Sequence, residues 1–143
     1  MCSAAQRTWG SIDSEIFVGL DISKTATGYA ALWRNGSVAE WGAFVPKAKL
    51  KLDVLGAGEF FEGEMEGLRG RLGDANYSIS CEDFLRAFSG GASSQNTIFT
   101  IGQTNGIVRY LAKRIFQPPA GVKPFHVTAV RSFFSIDLRG HRN

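Results

Sequence analysis

Cysteine and histidine are scarce, at two residues each in a chain of 143. Cys2 and Cys81 form no metal-ligand spacing, so a cysteine-based metal site is excluded and a reducing, intracellular compartment is the simplest reading. His126 precedes an apolar run and reads as a buried, hydrogen-bonded side chain, while His141 lies near the end of the chain. Long apolar runs are missing too. Nothing approaches the roughly 20 consecutive residues a spanning helix needs, so no membrane role is expected. The first dozen residues lack the charged-then-apolar layout of a secretory signal, and Arg7 is the single base among them.

What is present is an ordinary globular composition, 44% hydrophobic and 20% charged. The length suits one domain with a real core and is too short for two full lobes. The net charge of +3 conceals an asymmetry. Through Asp83 there are eight Lys/Arg against twelve Asp/Glu; from Phe84 onward eight Lys/Arg face only Asp137. A cationic second half suits a polyanionic partner or a plain solvated surface.

Residues 16–21 read as a buried strand and residues 27–34 as a second, with Arg34-Asn35-Gly36 as the turn into a third at 37–45. Trp33 and Trp41 flank that hairpin and are expected to pair across it. Pro46 ends the meander, and Asp53 is a plausible N-cap for a helix running to about Gly73, with Val54, Phe61, Met65, Leu68 and Leu72 on one face. YSISCE, residues 77–82, alternates as a fourth strand. After the glycine and serine loop at 89–94, Ile98, Ile101, Val108, Leu111 and Ile115 trace a second helix up to Pro118 and Pro119. Gly102 and Gly106 are expected to let it approach its neighbour closely. A fifth strand is expected at 125–130.

Two of these strands end in acid. FVGLDIS stops being apolar at Asp21, and YSISCED closes on Glu82 and Asp83. If the fourth strand lies beside the first, Asp21 and Glu82 meet, and carboxylate-only ligation suits Mg²⁺ or Mn²⁺. The plainer alternative makes Asp21 a turn cap and Glu82 or Asp83 a cap of the next segment.

GLDISKTATGY, residues 19–29, resembles the first-strand signature of RuvC-type Holliday junction resolvases, Gly-Ile-Asp followed at the same distance by Thr-Gly-Tyr. SCEDFL sets Glu82 where that family has its strand-end glutamate, and IGQTNG, residues 101–106, is similar to its Leu-Gly-Gln-x-x-Gly helix. HVTAVR, residues 126–131, sits where the family has its fifth strand and a basic segment. The likeness spans roughly residues 16–135. Glycerol-kinase-like ATPases open similarly but need two lobes, and YqgF-type RNA-processing nucleases lack a glutamate at the fourth strand end.

The resemblance implies an α/β, RNase H-like mixed five-stranded sheet with antiparallel strands 1–3, parallel strands 4–5 and flanking helices. It implies a homodimer cutting four-way DNA junctions with Mg²⁺ or Mn²⁺, with Asp21 and Glu82 catalytic and Asp83 a further candidate metal ligand; the sequence leaves the compartment open, a nucleoid, mitochondrion or chloroplast all being compatible. Lys24 and Thr25, in the loop after the first strand, would touch the scissile phosphate. Phe84 and Phe88 would stack near the junction centre, and Arg86, Arg109, Lys113, Arg114 and Arg131 would contact phosphates, unless these are ordinary packing and solvated residues. The family also carries two acids on a C-terminal helix, for which residues up to Asn143 offer no counterpart. The expectation is one domain, residues 1–143, lacking that helix and cutting junctions poorly or not at all. Its rivals are a non-catalytic nucleic-acid-binding module and a YqgF-like nuclease acting on RNA.

Overall fold

Strict alternation in the first and fourth strands sets the architecture. In the computed structural model, which describes residues 14–23, 26–47, 53–83 and 95–125, β1 (Glu15–Ile22) buries Ile16, Val18, Leu20 and Ile22 on one side. Phe17 and Asp21 are left exposed on the other. β2 (Thr27–Trp33) and β3 (Val38–Phe44) continue antiparallel from β1. The turn between them uses Gly36 at φ +84°, and the Asn35 Oδ1 accepts from the Ser37 amide at 2.9 Å.

α1 (Val54–Leu72) begins as expected at Asp53, whose carboxylate accepts from the Gly56 amide at 2.8 Å, and stops at Gly73, φ +77°. Phe61, Met65 and Leu68 face the sheet, whereas Val54, in the first turn, is solvent-facing rather than part of that stripe. β4 (Asn76–Glu82) returns parallel to β1 and buries Tyr77, Ile79 and Cys81. α2 (Gln95–Phe116) then packs Val108, Leu111, Ala112 and Phe116 into the same core. β5 (Val122–Phe125) closes a five-stranded sheet of order β3-β2-β1-β4-β5, with β1, β4 and β5 parallel.

Both helices therefore cover one face. On the opposite face Phe17, Leu32, Val38 and Trp41 stay exposed, along with Ala30, while Gly19 beside them is half-buried.

Three expectations are corrected. Trp33 and Trp41 do not pair: the turn at residues 34–36 sets the Trp33 amide against the Ser37 carbonyl, and Trp41, beyond a bulge beside Ala31/Leu32, faces Ala30. The fifth strand begins earlier than residue 125, at Val122, and includes Pro124, which is tolerated because β5 is an edge; residues 126–130 lie outside the described residues. Gly106 is exposed, with nothing within 4 Å of where a Cβ would sit. Where α1 meets α2, Gly58 faces Ile107, and an added Cβ would make only an ordinary contact at 3.8 Å.

Candidate active site

The acid end of the sheet follows from register. β1 and β4 run parallel with Leu20 opposite Cys81, the last pair of their ladder, so Asp21 and Glu82 are the next residues on neighbouring strands. Such strands lie about 4.8 Å apart. Alternation puts both on the open face, since Leu20 and Cys81 before them are buried under the helices. Two carboxylates thus share one level, one face and one end of adjacent parallel strands.

Among the described residues Asp21 caps no turn. The following turn is closed by Ser23, whose Oγ accepts from the Ala26 amide at 3.1 Å and donates to the Ala26 carbonyl at 2.7 Å. Asp21 itself is exposed and has no hydrogen bond or ion pair within the described residues. Its neighbour across the β1–β2 ladder is Gly28, where a Cβ would sit 3.6 Å from the Asp21 Cβ. The absent side chain leaves the flank of the carboxylate open.

Asp83 belongs to the other side. Its amide continues the ladder by donating to the Phe125 carbonyl at 2.8 Å, and alternation turns it toward the helix-covered face. There burial pushes the Cys81 thiol up, Arg109 pulls it down, and Asp83 pushes it up again. Asp83 and Arg109 thus act on the helix side of β4, away from Asp21 and Glu82.

Among the described residues the donor set on the open face is two hard carboxylates, which suits a largely hydrated Mg²⁺ or Mn²⁺ held through one or two carboxylates. Among the described residues no group of three or more His, Cys, Asp or Glu side chains gathers. The pair fits one ion and offers no larger cage within those residues.

The basic residues divide. Lys113 is exposed and, with Tyr110, Arg114, Gln117 and Pro118, lines an open cleft of about 510 Å³ near the C-terminal end of α2. Arg114 is already paired with Glu62 of α1. At 1.5 Å per residue, Lys113 is about 12 Å farther along the helix than Asn105, which lies against Glu82. Lys24, Thr25, Phe84, Phe88, Arg86 and Arg131 lie outside the described residues.

One residue that the sequence reading passed over touches the acid end. Asn105, only 6% exposed, donates from its side-chain Nδ2 toward the Glu82 backbone carbonyl at 3.5 Å. The signal was available: Asn105, Val108 and Ala112 recur three and four apart, so an amide interrupts a stripe otherwise made of core residues.

The mixed sheet, its strand order and its helices define the class as an RNase H-like fold. Within that class the fold is that of RuvC. The structure of Thermus thermophilus RuvC in complex with a Holliday junction substrate aligns with TM-score 0.59 at 11% identity, over 85% of this chain and 71% of that one. A second Thermus thermophilus RuvC structure gives TM-score 0.57 at 12% identity, over 90% and 72%. No protein-family model and no curated protein matches the sequence.

Proposed function

We propose that this chain is a RuvC-like, structure-specific endonuclease domain acting on branched DNA, with Asp21 and Glu82 as its catalytic carboxylates. The observation that carries the reading is the placement of two acids at one level of β1 and β4, on the open face of a RuvC-like fold. A bound Mg²⁺ or Mn²⁺ would supply charge to activate water and steady the departing oxygen in phosphodiester hydrolysis. Asp21 and Glu82 would hold it, and Gly28 keeps the approach to Asp21 clear. Lys113 is the cation of α2 proposed to meet phosphates, with Arg114 contributing less because Glu62 shares its charge and Arg109 turned instead toward Cys81 and Asp83.

A non-catalytic binding module is the second reading, favoured by the lack of any three-ligand group among the described residues. Two carboxylates offset the dehydration of one ion, so binding is expected to outlast cutting in this chain. Gel shifts at fixed salt on a labelled four-way junction and on a linear duplex of equal length test the first claim. The junction should be retained at lower protein concentration; equal retention would remove the structure-specific reading. Incubating the same junction with Mg²⁺ or Mn²⁺ tests the second, since any nicking must disappear in both Asp21→Asn and Glu82→Gln. Nicking that survives both would move the chemistry elsewhere.

A further inference from the structure

We infer that Asn105 is a positioning residue for the acid pair, its buried amide holding the end of β4 where Glu82 comes level with Asp21. The inference rests on the reading of Asp21 and Glu82 as one cation-holding site. Burying an amide in a helix interior is costly unless it is bonded, and asparagine is a weak helix former. A residue serving only to fill the α2 stripe would be apolar, as Val108 and Ala112 are. Asn105 instead points its side chain out of the helix and across 23 residues of sequence to a single backbone carbonyl, that of Glu82. A carbonyl only accepts, so the side-chain NH₂ is the group that faces it.

The ladders show what this contact adds. On the β5 side β4 is paired as far as Glu82 with Phe125, and Asp83 adds one more amide to Phe125. On the β1 side pairing stops at Leu20 with Cys81, one level short of the acids. No strand pair ties the peptide of Glu82 to the level of Asp21. Asn105 holds that peptide from the helix side, limiting the rotation that would swing the Glu82 Cα–Cβ bond away from its partner. Groups that hold a ligand's backbone or side chain in this way typically contribute 10- to 100-fold to metal affinity.

The test is a Mg²⁺ titration of the ¹⁵N-labelled full 143-residue chain, followed by NMR, with Mn²⁺ line broadening to locate the ion. In the wild type the Asn105 side-chain NH₂ signal should shift with the same midpoint as the Glu82 backbone amide. Asn105→Leu, which keeps volume and removes the donor, should retain a dispersed spectrum and bind Mg²⁺ about 10-fold more weakly. A wild-type midpoint in that variant overturns the inference. So does a silent Asn105 signal in the wild type, which decides the matter if the variant fails to fold. Asp21→Asn and Glu82→Gln separate the two levels: if either binds Mg²⁺ like the wild type, the acid-pair reading falls first and the role of Asn105 with it. If both lose binding while Asn105→Leu keeps it, only the positioning role is wrong.

Discussion

At Thr27 the fold carries an unresolved cost. The side chain is fully buried, and its Oγ1 has no hydrogen-bond partner among the described residues. An unpaired buried hydroxyl costs roughly 1–3 kcal/mol by mutational measures. Thr27→Val keeps the shape and removes the orphan group, so it is expected to raise stability by about 1 kcal/mol in urea unfolding; a loss of that size would mean the hydroxyl has a partner. The acids were readable at this scale because each closes an alternating apolar run. Asp83 was not separated from Glu82 in that reading, although alternation alone sends adjacent strand residues to opposite faces. Asn105 leaves a fainter mark, a single polar residue on an otherwise apolar buried stripe.

Among the elements, the end of α1 is tied to β3 by a three-residue network. Arg71 donates to Glu40 from Nε at 3.0 Å and from Nη2 at 2.7 Å, and the Tyr29 hydroxyl donates to the same carboxylate at 2.9 Å. The Arg71 hydrogen bonds hold the Glu40 carboxyl below its ordinary value of 4.5, against the opposing effect of burial. A carboxyl depressed in the folded state adds stability that is complete above its unfolded value and lost as pH falls through the folded one. Glu40→Gln should therefore lose less stability than the wild type on acidification below the ordinary glutamate range, by about 1 kcal/mol or less because the pair is partly solvated. Identical acid profiles would remove the network from the stability account. Caps and stripes made α1 readable, since Asp53, Gly73 and the Phe61, Met65 and Leu68 face each leave a local mark. The position of Trp41 and the start of β5 were not readable. A bulge and an edge-strand proline are permitted by tertiary neighbours, and nothing within the local sequence announces them.

For the molecule as a whole, the charge asymmetry of the sequence is partly cancelled by folding. α1 carries Glu59, Glu62, Glu64 and Glu66, and Arg114 of the basic half spends its charge on one of them. DNA affinity should still fall with salt as counterions are released. Lys113→Gln is expected to reduce the slope of log affinity against log salt by about 1, and Arg114→Gln by less. Equal slopes for both variants and the wild type would take α2 out of the interface.

The acid pair remains the centre of the account, and Mn²⁺ calorimetry on the wild type, Asp21→Asn, Glu82→Gln and the double variant tests it most directly. If Asp21 and Glu82 hold one ion between them, either single substitution weakens binding by at least about tenfold, and the double variant loses little more than the worse single one. Wild-type Mn²⁺ affinity in either single variant, or losses that simply add, would show two independent carboxylates and contradict the site.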